Sequence, residues 1–231
     1  MKRTDILQLG GPVGVGVAVA AALLGLGGYR LVTFVQSIRD YRDRAKTDTC
    51  QAPPAWLAVP GRTLPKLQLF RINDQVMGGR SVSSLEAKRG GSVDFRGTIS
   101  TTGGGFASFR TLGDDEPLGV APTTRALRIE ATGDGQRYKA TLHTADSWAM
   151  SVPSWSADFR TKEAQRGVYE LPLAHFVPSR QGRVVSGAGT IDAAAVTGIG
   201  FGLSLYTADG KPNPEFRDGP FNLEVHSAKF V

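Results

Sequence analysis

The chain has 231 residues, 41% hydrophobic and 8% aromatic, with a formal net charge of +6 and a single cysteine, Cys50. That length suits one domain plus an appendage, and that composition excludes a disordered chain, an intrachain disulfide framework and a cysteine-based zinc site. Residues 1–65 hold eight Lys/Arg against four Asp/Glu, and residues 66–231 hold nineteen against seventeen; the basic excess sits beside an apolar segment and is no argument for nucleic acid.

No charge interrupts the twenty-one residues Leu9–Tyr29. This is the length a helix needs to cross a ~30 Å hydrocarbon layer, so residues 1–45 are predicted to be a transmembrane helix with a basic interfacial extension. Pro12 sits where a helix start tolerates it. Leu31, Phe34, Val35 and Ile38 recur at helical spacing beyond Arg30. Met1-Lys2-Arg3 and Ala18-Val19-Ala20 also fit a cleaved signal peptide. The apolar run continues well past that point, which favours an uncleaved anchor. A buried soluble helix is disfavoured, because each glycine costs about 1 kcal/mol in a helix in water. Gly10, Gly14, Ala18 and Ala22 share one face and would let a second membrane helix approach closely.

Lys2 and Arg3 precede the span, whereas Arg30, Arg39, Arg42, Arg44 and Lys46 follow it. That bias places the C-terminal part on the cytoplasmic side. No room is left for an Arg- and Ser-rich transit peptide, so a bacterial inner membrane is expected over an organellar inner membrane. Residues 46–65 are Pro-rich without clear period and read as an extended linker, which Trp56 and Leu57 would pin to the domain or to a partner.

From Lys66 the signals are those of strands. Candidates are 66–72, 81–88, 92–100, 105–112, 125–132, 137–144, 155–161, 167–173, 196–206 and 221–230, most of them bounded by Gly, Pro, Asp or Ser. Only 172–178 and 191–198 suggest a helical turn. Gly133-Asp134-Gly135 between two runs predicts a hairpin. Tyr138, Ala140 and Leu142 alternate onto one face, leaving His143 on the exposed one. The pattern predicts a mainly β sandwich or barrel.

Three blocks stand out: Asn73-Asp74-Gln-Val76-Met77-Gly78-Gly79-Arg80-Ser81, Phe95-Arg96-Gly97-Thr-Ile-Ser100, and Gly104-Gly105-Phe106-Ala107-Ser108-Phe-Arg110. Later come Gly133-Asp134-Gly135 with Tyr138, Tyr169-Glu170-Leu171-Pro172-Leu173 with Phe176, and Gly219-Pro220-Phe221 with Leu223-Glu224. In this order they closely resemble the complex I intermediate-associated protein 30 family across 66–231. Gly103 departs from the pattern, since members often carry Asn there. The resemblance implies a galactose-binding-domain-like jelly-roll β-sandwich over 66–231. It also implies a non-catalytic role in building or stabilising a bioenergetic membrane complex, respiratory complex I or a photosynthetic assembly. A fold shared with sugar-binding modules does not confer sugar binding.

The residues themselves carry little chemistry. His143, His175 and His226 lack the spacing of a helical metal site. Asn73-Asp74 and Asp134 could ligate a cation, but as turn caps they bond nearby amides. Gly103-Gly104-Gly105-Phe106 lacks the Gly-Lys-Ser/Thr ending of a phosphate loop and reads as a tight turn delivering Phe106 to the core. Ser81, Ser83, Ser84, Ser100 and Ser108 lie in no nucleophile elbow. Arg80 and Arg110 flank the glycine clusters and would pair internally or face a partner. Trp148, Met150, Trp155 and Phe159 fit core packing or an exposed anchor, and the polar loop 207–220 fits a partner contact.

The expectation is a membrane-anchored accessory subunit or assembly factor with no catalytic residue, cofactor or metal. Its partners would be the transmembrane and cytoplasmic-face subunits of a large complex, together with the bilayer. The alternative is a membrane-anchored carbohydrate-binding module facing outward.

Overall fold

The computed structural model describes residues 49–112, 116–145, 152–180 and 182–231. The expected span, with Gly10, Gly14, Ala18 and Ala22, lies outside the described residues, as do Trp148 and Met150. Among the described residues no helix is long and apolar enough to cross a membrane.

Two mainly antiparallel sheets face each other in a jelly-roll sandwich. The strands are β1 (Thr49–Gln51), β2 (Leu57–Ala58), β3 (Gln68–Asn73), β4 (Val82–Ala87), β5 (Val93–Ile99), β6 (Phe106–Leu112) and β7 (Ala126–Gly133). They continue as β8 (Arg137–Thr144), β9 (Ser154–Arg160), β10 (Arg166–Pro172), β11 (Val177–Arg180), β12 (Arg183–Val184), β13 (Val196–Ser204) and β14 (Gly219–Phe230). One sheet runs β1-β3-β6-β13-β8-β9-β11-β12, and the other runs β10-β7-β14-β5-β4 with β2 added parallel to β14. Short 3-10 turns at Leu173–His175 and Ala193–Ala195 fall where helical turns are expected.

Alternation decides which side chains enter the core. In β6, Ala107 and Phe109 are buried while Phe106, Ser108 and Arg110 are only partly covered. Phe106 therefore lies on the outer face and does not enter the core as expected, because its register partner Ser204 points outward with it. Phe70, opposite Arg110 on that same face, is fully covered, with the guanidinium 5.1 Å from its ring centroid.

Gly133-Asp134-Gly135 makes no hairpin. β7 pairs with β10 and β14, whereas β8 pairs with β13 and β9, so this turn carries the chain from one sheet to the other. The two flanking runs lie in opposite sheets and both deliver their apolar faces, Leu127, Ile129 and Ala131 from β7 and Tyr138, Ala140 and Leu142 from β8, to the one core.

The stretch expected as a linker is woven into the sandwich from Thr49 onward. β1 extends the eight-stranded sheet, and β2 pairs with Ala228 and Lys229. Trp56 is 1% exposed. Its ring lies 6.1 Å from Phe109 and 6.0 Å from Phe201, and its Nε1–H donates to the Val225 carbonyl at 3.0 Å. One indole thus fills the space between the sheets with its polar atom satisfied. Trp155 and Phe159 also settle in the core, at 8% and 4% exposure.

Trp56→Ala should lower stability by about 3–5 kcal/mol, the range for emptying a large aromatic site, read as a shifted urea midpoint. A chain beginning at Lys66 should lose cooperative unfolding; a midpoint equal to that of the whole chain would show that Thr49–Ala58 is dispensable.

Candidate functional site

The motif residues gather at one end of the sandwich around the Asp74 carboxylate, which has no exposed surface. Asp74 opens the 3-10 turn Asp74–Met77 between β3 and β4. Its Oδ1 accepts the Ser81 N–H at 2.9 Å. Its Oδ2 accepts the Ser81 hydroxyl at 2.6 Å, the Gly105 N–H at 2.7 Å and the Phe106 N–H at 3.3 Å. Ser81 Oγ in turn accepts the Ser100 N–H at 3.0 Å. One carboxylate thereby ties the turn after β3 to the connection between β5 and β6.

A buried charge needs full compensation by donors or a counter-ion. Among the described residues no basic side chain stands within 4.0 Å of Asp74, and the compensation comes from N–H and O–H groups. Gly79 and Gly104 make this possible: a Cβ on Gly79 would lie 2.2 Å from Asp74 Cγ, and one on Gly104 would lie 2.3 Å from Oδ2. Gly103 has φ +73°, the left-handed region that Gly enters freely and Asn tolerates, so its turn keeps its shape. Asn73 does not cap the turn with its side chain; its Oδ1 accepts the Ser83 hydroxyl at 2.6 Å, while Arg71 donates to the Ser83 carbonyl.

A second knot lies at the same end. Asp134 Oδ1 accepts the Gln136 N–H at 3.1 Å, and its Oδ2 accepts Gln136 Nε2 and the Asn222 N–H, both at 3.0 Å. Gln136 is fully buried and accepts the Arg217 N–H at 2.7 Å. Tyr138 donates to the Asn222 carbonyl at 3.1 Å, and burial pushes its phenol far up. Pro220 is exposed, whereas Phe221 is buried against Phe95, with ring centroids 5.0 Å apart. Thr101 joins the two knots by donating its N–H and hydroxyl to Asp218, at 3.1 and 2.7 Å. Asp134 caps its own turn as expected, through the Gln136 N–H, whereas the Asp74 carboxylate bonds residues distant in the chain and not the nearby amides of a turn cap. Gln136, Thr101 and Asp218 gave no motif, since their partners lie far away along the chain.

The outer sheet faces differ. On the six-stranded sheet, Arg128–Glu170 at 2.8 Å and Arg166–Glu130 at 2.7 Å form cross-strand pairs, and Arg96 pairs with Asp94 along β5. The eight-stranded sheet is floored at β13 by Gly198, Gly200 and Gly202. Arg110 and His143 lie across Gly200, with Nη1 and Nδ1 3.4 Å apart, and His143 is half-buried, not exposed as expected. The reason is the missing side chain at Gly200: a Cβ there would stand 3.3 Å from His143 Nε2. Burial and the neighbouring Arg110 hold His143 well below its ordinary pKa of 6.5. Ser108 donates to the Ile72 carbonyl at 3.2 Å. Arg80 and His175 are exposed, and His226 meets the Thr132 hydroxyl at 2.8 Å.

Asp74→Asn should cost about 2–4 kcal/mol in denaturant unfolding, since an amide N–H₂ would confront N–H donors in a closed site. Gly104→Ala should destabilise comparably, with the same far-UV circular dichroism at low temperature. The unfolded chain protonates near the ordinary histidine pKa while folded His143 refuses the proton, so stability should fall as pH drops below about 6.5. His143→Gln should flatten that fall between pH 7 and 5.5.

The chain resembles solved carbohydrate-binding modules at low identity. The family 11 module of a cellulosomal cellulase of Clostridium thermocellum matches with 12% identity and a TM-score of 0.43, over 78% of this chain and 95% of that one. The same organism's family 11 module in complex with a β-1,3-1,4-mixed-linked tetrasaccharide matches at 11% identity, also at 0.43 over 78% and 95%. A family 29 carbohydrate-binding module matches at 9% identity and 0.37, over 78% and 82%. A comparison with curated proteins found no match. The family model described as Complex I intermediate-associated protein 30 matches residues 63–225, a range holding both hydrogen-bonded knots and most of both sheets, and the chain belongs to that family.

Proposed function

We propose that this protein is a non-catalytic accessory subunit or assembly factor of a bioenergetic membrane complex, held at the bilayer by its N-terminal apolar segment. The observation that carries this reading is the family match over residues 63–225, whose name ties the family to intermediates of complex I. The motif geometry supports it: Asp74, Ser81 and Asp134 spend their polar atoms on internal bonds that shape the fold. A protein that works by shape needs rigid presentation, and internal satisfaction of this kind supplies it. The client is a respiratory complex I or a photosynthetic reaction-centre assembly. The span Leu9–Tyr29, with Gly10, Gly14, Ala18 and Ala22 against a neighbouring helix, supplies the membrane contact. The sandwich lies on the cytoplasmic face of a bacterial inner membrane, following the basic flank Arg30–Lys46.

Extraction in mild detergent followed by a native gel should place the protein in a band much larger than 24.6 kDa, with the client's subunits identified by mass spectrometry. Migration alone under those conditions would overturn the reading. Protease added to intact spheroplasts should leave the sandwich uncut, and cleavage would reverse the assigned orientation.

A further inference from the structure

We propose that strand β10, the open edge of the six-stranded sheet, is a seam that pairs antiparallel with β10 of a second copy of this chain. Four strands end the two sheets: β1 and β12 in one, β10 and β4 in the other. β1 has three residues and β12 has two, which protects an edge by shortness. The flank of β4 is met from within the molecule: Arg71 donates to the Ser83 carbonyl, and Cys50 reaches the backbone of Ala87. β10 keeps seven residues in unbroken register with β7, and no described strand pairs with its other flank. It has no bulge, no lysine and no proline before Pro172, the usual devices against pairing. Val168 at its centre is 64% exposed, the most of any large hydrophobic among the described residues.

This strand is complementary to itself. Its outward side chains are Arg166, Val168 and Glu170. Residues directly opposite in an antiparallel pair share a face, so a two-fold axis perpendicular to the sheet passes between one residue and its own copy. An axis at Val168 sets valine on valine and places Arg166 opposite Glu170 of the second copy on both sides. An axis at Arg166 or Glu170 sets like charges face to face, which is destabilising. An axis at Gly167 or Tyr169 sets Val168 against a charge and forfeits the apolar contact. The Val168 register also extends pairs already present. Arg128 holds Glu170 at 2.8 Å from the neighbouring β7. Arg128, Glu170 and Arg166 of the second copy then alternate in sign across three strands. Charges that repel a slipped strand thereby select this one.

The inner face permits the same approach. A Cβ on Gly167 would stand 2.6 Å from the Tyr169 hydroxyl, so the tyrosine folds back along its own strand. Its ring centroid lies 5.1 Å from that of Phe159. It does not project past the edge, and Gly167 offers bare backbone opposite Tyr169 of the second copy. The axis runs through both sheets, so each copy presents its eight-stranded sheet on the same side. The two Thr49 ends lie at one height, and both chains can enter from one bilayer. The complementarity is to this chain's own sequence, which favours a second copy over a foreign strand.

The test is oxidative cross-linking of the full chain in native membranes, with the wild type, whose single cysteine is Cys50, as the control. Val168→Cys should give a disulfide dimer of twice 24.6 kDa on a non-reducing gel, because facing Cα atoms of an antiparallel pair lie about 4.5–5.5 Å apart. Val82→Cys, on the other edge strand of the same sheet, should stay monomeric. Arg166→Cys and Glu170→Cys should each stay monomeric alone and bridge when co-expressed. Val168→Lys added to both should abolish that bridge by setting two ammonium groups at the axis. No dimer from Val168→Cys, equal dimer from Val82→Cys, a disulfide from position 168 to a different protein, or a 166–170 bridge that survives Val168→Lys would each overturn the seam. Co-migration with a client on the native gel is a separate readout: its absence overturns the accessory-subunit reading and leaves a bridged dimer standing.

Discussion

The fold depends on one buried negative charge. The Asp74 carboxylate sits in the interior with four donors, from Ser81, Gly105 and Phe106, converging on two oxygens. Leaving such a group uncompensated costs several kcal/mol, so the residues around it are constrained together. Ser81 must present both its N–H and its hydroxyl. Gly79 and Gly104 must lack side chains so that backbone can touch the carboxylate. In return, the β3–β4 and β5–β6 connections, which both cross from one sheet to the other, are held together.

From this anchor the order spreads along one end of the molecule. Thr101 hands the Asp74 knot to Asp218, and Arg217 and Asn222 carry it to Gln136 and Asp134. The sheets are then closed from inside by Trp56, whose ring lies on Phe109 and Phe201 and whose N–H is bonded to β14. The polar end fixes how the strands leave their turns, while the aromatic centre fixes how far apart the sheets stand.

This division of labour bears on function. Side chains that would draw attention as chemistry, such as Asp74, Ser81 and Asp134, are consumed by architecture. Surface charge on the six-stranded sheet is neutralised across strands. The β13–β14 loop is kept in shape at the same polar end by Asn213, whose Nδ2 donates to the carbonyls of Arg137 and Ser204.

The sequence by itself determined ten of the fourteen strands and the family. Alternation and punctuation placed ten strands within a few residues, because period-2 burial and turn chemistry are local properties. The same locality made Asp134 legible as a turn cap, while the partners of Asp74 across the β5–β6 connection are not local. It also misled. Gly133-Asp134-Gly135 looks like a hairpin from its own residues, and only the sheet topology shows the chain changing sheets there. Phe106 looks like a core residue until its neighbour Ala107 takes the inward position, and His143 looks exposed until Gly200, far along the chain, removes the side chain that would hold it upright. Residues 49–65 look like a tether, since proline obscures their period; their burial is decided by the gap between Phe109, Phe201 and Val225, which exists only once both sheets have formed. Local hydrogen bonding is written in adjacent residues, whereas packing partners are chosen by a three-dimensional surface that no short stretch of chain contains.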